Sequence, residues 1–290
     1  MTPRARVLKR LLFTVCHRSG LAWLAQSCNR RSVTILCYHG VTGGDTRVAG
    51  DGAGLHVRLS RFEAHLRYLR RRHNVISLQE YVEARRQGRW LAPYTLVLTF
   101  DDGYRNLVTA AAPALLRMQM PATLFLVTDW VDHRAVAADS RGWEADDDRA
   151  FLSWQDAAVL SAEAGFEIGS HTCSHALLPQ ESRDAAREEL VASLGLLRRR
   201  LGVDDVPFAY PRGAYADWVV ELVRDAGYGC AVTTDAGANG ASDDTFQLRR
   251  VLIGDDDDIA AFAVRISGLR RLASAARERV MRITRGGAPR

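Results

Sequence analysis

Seven short apolar runs punctuate this chain, at residues 33–38, 95–100, 122–128, 166–169, 207–210, 230–233 and 248–253. Runs of about four to eight apolar residues, bounded by turn signals, suit strands covered on both faces. Between them the period changes to that of a helix, at residues 61–73, 78–88, 106–118, 154–164, 182–201, 218–226 and 257–269. Leu107, Ala111, Leu115 and Met118 recur on one side of the third of these, and Phe62, Leu66 and Leu69 on one side of the first. Ser60 is placed as an N-cap with Glu63 at the capping-box position, Ser182 as a second cap, and Gly88 as a helix end. Alternating strands and helices imply a mostly parallel sheet covered by helices. About seven such units fit a closed or nearly closed α/β barrel better than an open sheet, and in such barrels chemistry sits where strands end and loops begin. Residues 43–54, rich in Gly and Asp, and the acidic stretch 132–149 have no period and read as loops.

The five cysteines (Cys16, Cys28, Cys37, Cys173, Cys230) are scattered without a CxxC pair, which argues against a disulfide framework and for a reducing compartment. The net charge of +5 conceals a division along the chain. Residues 1–31 carry Arg4, Arg6, Lys9, Arg10, Arg18, Arg30 and Arg31 and no acid, and residues 265–290 carry eight Arg and only Glu278. The middle is therefore acidic, which excludes a nucleic-acid partner on electrostatic grounds. We divide the chain into a basic amphipathic segment (1–31), a catalytic domain (32–269) and an Arg-rich tail (270–290). The apolar residues near the N-terminus are too few and too interrupted by Lys9, Arg10, His17 and Arg18 to span a bilayer or to form a signal-peptide core. Two readings of residues 1–31 follow: a helix packed on the domain's own surface, or peripheral contact with an anionic membrane. The expected location is the cytoplasm or the membrane surface.

Two of the apolar runs end in groups that bind metals. Thr99-Phe100-Asp101-Asp102-Gly103 sets two carboxylates side by side, and Gly169-Ser170-His171-Thr172-Cys173-Ser174-His175 supplies two imidazoles. Each motif alone is a modest signal, since paired acids also build turns. Together they provide three ligands, Asp102, His171 and His175, leaving a divalent ion one open position. Asp101 is then free to act as a base toward water. A third strand end, Phe208-Ala209-Tyr210-Pro211-Arg212-Gly213-Ala214-Tyr215, brings backbone amides to the same rim, and Arg212 is placed to orient Asp101 or to bind a substrate oxygen. His39, after the first strand, is the candidate proton donor for a leaving amine. Trp130, Trp143, Trp154 and Tyr215 are candidates for stacking on sugar rings. Zinc suits two imidazoles and a carboxylate, and cobalt, nickel or iron also fits.

These motifs, with Leu36-Cys37-Tyr38-His39-Gly40-Val41 and Pro121-Ala122-Thr123-Leu124-Phe125, resemble those of the polysaccharide deacetylase family, the NodB-homology group. The resemblance runs from Thr34 to about Gly268. It implies a distorted (β/α) barrel with fewer strands than the eightfold form, and metal-dependent removal of acetyl groups from sugars such as N-acetylglucosamine. By motif it implies Asp101 as base, Asp102, His171 and His175 as metal ligands, and the backbone N–H of Arg212 as oxyanion donor. Tyr104, Tyr210, Pro211 and Tyr215 are the candidate substrate-binding residues. Many members bear a C-terminal histidine as general acid; here that region reads Leu248-Arg249-Arg250-Val251-Leu252-Ile253, and no histidine follows His175. Similarity to members whose first strand ends in Tyr-His points to His39 instead. The expected activity is N-deacetylation of a polysaccharide, glycolipid or lipid-linked sugar precursor. The alternatives are a non-catalytic glycan-binding protein and a carbohydrate O-acetyl esterase.

Overall fold

The computed structural model describes residues 3–44, 54–131 and 150–269. The acidic stretch 132–149, most of the loop 43–54, Trp143 and the Arg-rich tail 270–290 lie outside the described residues. In chain order the elements are α1 (Pro3–Arg18), α2 (Leu21–Cys28), β1 (Thr34–Tyr38), β2 (Val41–Thr42), β3 (Val57–Arg58), α3 (Leu59–Arg72), β4 (Asn74–Ile76), α4 (Leu78–Arg86), β5 (Thr95–Phe100), α5 (Ala112–Met118), β6 (Ala122–Leu126), α6 (Trp154–Ala162), β7 (Phe166–Ser170), α7 (Arg183–Leu201), β8 (Pro207–Ala209), α8 (Asp217–Asp225), β9 (Cys230–Val232), β10 (Arg250–Leu252) and α9 (Ile259–Ile266). They group into two compact units, Arg31–Asp256 and Met1–Arg30 with Asp257–Arg290. The helix α9 thus belongs with α1 and α2, and the barrel unit ends at Asp256.

The larger unit is a nearly closed parallel barrel. Seven strands run in the order β10-β1-β5-β6-β7-β8-β9, and every pair along that path is parallel. The two ends of the path approach each other at a parallel bridge between Val232 and Leu248. There Thr233 N donates to Leu248 O (2.8 Å) and Leu248 N to Ala231 O (3.0 Å). An additional strand, β4, joins the barrel by pairing Asn74–Ile76 with the first half of β5, while β6 takes the second half. The sequence shows only two apolar residues there, Val75 and Ile76, too few to stand out as a run. Burial of all of β5 and of Ile35–Tyr38 in β1 explains their largely apolar pattern. Ile35, Val97, Phe125, Ala209 and Val232 from the strands, with Leu248 just before β10, gather with Leu78, Tyr81 and Val82 of α4 into one apolar cluster.

The helix signals are kept with local differences. Ser153 caps α6 in a capping box with Asp156, and Ser182 caps α7, which ends at Gly202 with φ +67°. Ser60 is not a cap. The helix α3 starts earlier because β3 leads straight into it, and its N-cap residue Arg58 is held by Asp255, whose Oδ1 accepts from Arg58 N (3.2 Å) and Nε (3.0 Å). The segment 106–118 opens with a wide π-helical turn, Leu107–Ala111, before α5. Pro113, in the first turn of α5, has no N–H to close an ordinary turn there. The basic N-terminal segment is two helices, broken where Gly20 takes φ +78°. All five cysteines are free. No described helix is long and apolar enough to cross a membrane.

Candidate active site

The strand ends deliver the predicted side chains to one rim of the barrel. Residues alternate inward along a strand, so β5 sends Val97, Thr99 and then Asp101 toward the interior. Asp101 N donates to Tyr38 O (3.0 Å) and His171 N to Leu126 O (2.8 Å), which extends the ladders just past the strands and fixes both residues at their mouths. Asp102, His171 and His175 come together, each offering one ligand atom, all within 4.8 Å of one another. Asp102 Oδ1 lies 3.7 Å from Nε2 of both histidines, too long for a hydrogen bond and suited to ligands facing a shared centre.

The tautomer at His171 follows from its surroundings. Its Nδ1 donates to the carbonyl oxygen of Ala209 (2.7 Å), leaving the Nε2 lone pair toward Asp102. The His175 ring stacks on Trp130 at 5.3 Å and meets His171 edge-on at 4.9 Å. Burial, reinforced by His171, pushes His175 down to about 4, so its ring is neutral and able to ligate at neutral pH. The segment between the two histidines is pinned by Glu189, whose carboxylate accepts from Cys173 N (2.8 Å), Ser174 N (3.0 Å) and Ser174 Oγ (2.8 Å).

Backbone strain collects at the same place. Four non-glycine residues of the site, Asp102, Thr172, His175 and Arg212, have φ between +54° and +72°. Such conformations are costly for side chains with a Cβ, above all for a branched Thr, and persist where the surroundings enforce them. Gly103 also has φ +72°, and a Cβ on it would meet Leu126 Cδ2 at 2.8 Å, so the turn behind Asp102 has room only for glycine.

Asp101 is the best-held group. Arg250, fully buried, donates from Nη1 to Oδ1 (2.6 Å) and from Nη2 to Oδ2 (2.7 Å). The guanidinium is itself fixed by Nε donating to Thr233 O (2.8 Å) and Nη1 to Thr99 Oγ1 (3.1 Å). Burial alone would push the Asp101 carboxyl up, but Arg250 prevails and holds it well below the usual carboxylate range. Cys37 Sγ donates to Asp101 Oδ2 (3.3 Å). His39 stands on the same rim, its ring nitrogen within 4.8 Å of Cys37 and Asp101 ligand atoms, with a buried Nδ1 that has no hydrogen-bond partner among the described residues.

The remaining candidate residues lie in different surroundings. Arg212 is exposed and does not orient Asp101; Arg250 does. What Arg212 brings is its backbone. The turn's own hydrogen bonds run from Gly213 N to Tyr210 O and from Ala214 N to Pro211 O, and do not use the Arg212 N–H. Gly213 must be glycine, since a Cβ there would lie 2.6 Å from Thr234 N. Tyr104 and Tyr210 are buried: Tyr104 stacks on Phe151, and the Tyr210 hydroxyl donates to Phe246 O (3.0 Å). Pro211 is buried as well; Tyr215 is half-buried, its hydroxyl donating to Asp235 (2.7 Å). Trp130 packs between His175 and Phe151, and Trp154 lies under the Arg200 guanidinium. The residue missed from sequence, Arg250, had a signal: a charge inside an apolar strand run needs a buried partner of opposite sign.

Beside the His171–His175 segment lies a cavity of about 430 Å³ rimmed by Asp129, Glu181, Glu188 and Glu189. A second cavity of about 330 Å³, lined by Leu78, Phe166, Glu167 and Pro207 among others, contains none of the rim residues described above, and the chemistry is not placed there.

Comparison with known proteins agrees with this fold. Residues 91–231 match the family model described as polysaccharide deacetylase. The poly-β-1,6-N-acetyl-D-glucosamine N-deacetylase of Escherichia coli (strain K12) is 29% identical over 75% of this chain, and the match spans only 36% of that protein. Among solved structures, Streptococcus pyogenes deacetylase PplD in complex with acetate superposes with a TM-score of 0.70 at 22% identity, covering 81% of this chain and 98% of that one. IcaB from Ammonifex degensii gives 0.65 at 22%, covering 81% and 97%. At these identities the structural likeness is one of fold.

Proposed function

Because residues 91–231 match the polysaccharide deacetylase family model, we propose that the chain hydrolyses N-acetyl groups of an N-acetylglucosamine polysaccharide, of the β-1,6 type named for its Escherichia coli relative, with one divalent metal, zinc first. The observation that carries this reading is the convergence of Asp102, His171 and His175 within 4.8 Å, with the next carboxylate, Asp101, clamped by Arg250. The donor set fits a divalent cation: one carboxylate and two imidazoles, one of them with its tautomer set by Ala209. A metal ion held there supplies Lewis acidity, polarising the acetyl carbonyl and acidifying water.

The chain's residues do the rest. Asp101, kept ionised by Arg250, accepts the proton of the attacking water as the new C–O bond forms. The Arg212 N–H donates to the oxygen on which negative charge develops. As the C–N bond breaks, His39 gives a proton to the departing amine, leaving acetate and a free amino sugar. Acetate release from acetylated β-1,6-glucosamine oligosaccharides tests the proposal. Wild-type release stops with a chelator and returns with zinc, whereas Asp101→Asn releases none yet still binds metal. Undiminished release by Asp101→Asn overturns it.

A further inference from the structure

We propose that the helical unit of α1, α2 and α9 docks on the surface of an anionic phospholipid bilayer through an outward apolar stripe on α1 and α2. Inside this unit, α1 packs along α9 and α2 packs against both. Arg10 reaches Asp258 at the start of α9 (3.5 Å), and Asn29 Nδ2 donates to Ser267 O at its end (3.4 Å). Ala22 and Ala25 of α2 are buried, as are Phe262 and Val264 of α9. The other side of α1 is apolar yet in water: Val7, Leu8, Leu11, Leu12 and Val15 are 58–69% exposed. Their spacing puts them on one side of the helix. On α2, Leu21, Trp23 and Leu24 are exposed as well.

So many large apolar side chains, clustered on two adjacent helices, are unlike the scattered hydrophobic residues of an ordinary surface. Charge selects the occupant. Residues 1–31 carry seven basic residues and no acid. A second copy of this chain would set like charges against each other; anionic headgroups would neutralise them while the acyl boundary takes the stripe. An exposed Trp is suited to that boundary. The segment lies on the bilayer, since no described helix is long and apolar enough to cross it.

The test is sedimentation of the full chain with vesicles of phosphatidylcholine mixed with phosphatidylglycerol, and with phosphatidylcholine alone. The mixed vesicles carry the protein down, and salt weakens the binding. Leu8→Glu/Leu11→Glu/Leu12→Glu lowers the partition coefficient by about tenfold or more, with circular dichroism reporting whether the helices persist. Leu8→Ala/Leu12→Ala, which retains helix propensity, is a second, milder variant and lowers it too. The proposal is overturned if wild type stays in the supernatant with mixed vesicles, or if the alanine variant binds as wild type does. It is also overturned if light scattering shows a dimer that the variants dissociate while vesicles leave wild type in solution. None of these readouts depends on deacetylation.

Discussion

At the scale of single residues, the account turns on Asp101 and Arg250. A carboxylate with no solvent exposure to speak of stays ionised only because a planar guanidinium meets both its oxygens. Arg250→Lys keeps the charge but loses the two-point fit. We expect at least a tenfold loss in acetate release, with the acidic limb of the pH–rate profile moved upward, because the Asp101 carboxyl rises when the guanidinium leaves. An unshifted acidic limb would refute the assignment. Arg250→Met leaves a buried carboxylate unpaired and costs about 3–5 kcal/mol of stability, read as a lower urea midpoint. The candidate ligands were legible because Asp102, His171 and His175 follow apolar runs; Arg250 was not, because its partner lies 149 positions away and only the pairing of β10 and β5 on either side of β1 brings the two together. Tyr104 and Tyr210 show the converse: aromatic residues in a motif can serve the core, and sequence does not separate the two uses.

At the scale of elements, the capping of α3 shows what local patterns miss. Ser60 and Glu63 look like a cap, but the N-cap residue is Arg58, whose N–H is held by Asp255 from just after β10. Asp255→Ala is expected to lower stability by about 2 kcal/mol, the combined effect of losing the acceptor of the Arg58 N–H and a buried carboxylate's contacts with Arg58 and Arg61. Ser60→Ala is expected to change it by only a few tenths of a kcal/mol; equal effects would contradict the structure. At the end of the same helix, burial and Arg72 push His73 down to about 4 from its ordinary 6.5. The unfolded chain therefore takes up that proton first as the pH falls. Stability from a neutral His73 is complete above about pH 6.5 and is lost progressively toward about 4. His73→Gln should flatten the dependence of the urea midpoint on pH in that window, and an unchanged slope would rule this out. The seven main strands were readable because burial on both faces leaves continuous apolar runs; β4 and the β2–β3 pair are too short for any period to register.

At the scale of the whole chain, basic ends flank an acidic barrel unit, a division visible in the order of charges alone. Alternating strands and helices called for a parallel barrel, and the parallel order β10-β1-β5-β6-β7-β8 sets the ends of distant motifs on one rim. The central claim is that Asp102, His171 and His175 hold the catalytic cation. The most direct measurement is metal content by elemental analysis after zinc loading and dialysis, on wild type and on His171→Ala, each checked for folding by circular dichroism. The account predicts one equivalent of metal in wild type and none in a folded His171→Ala. A folded His171→Ala that retains a full equivalent, or a wild type that binds none, would contradict it.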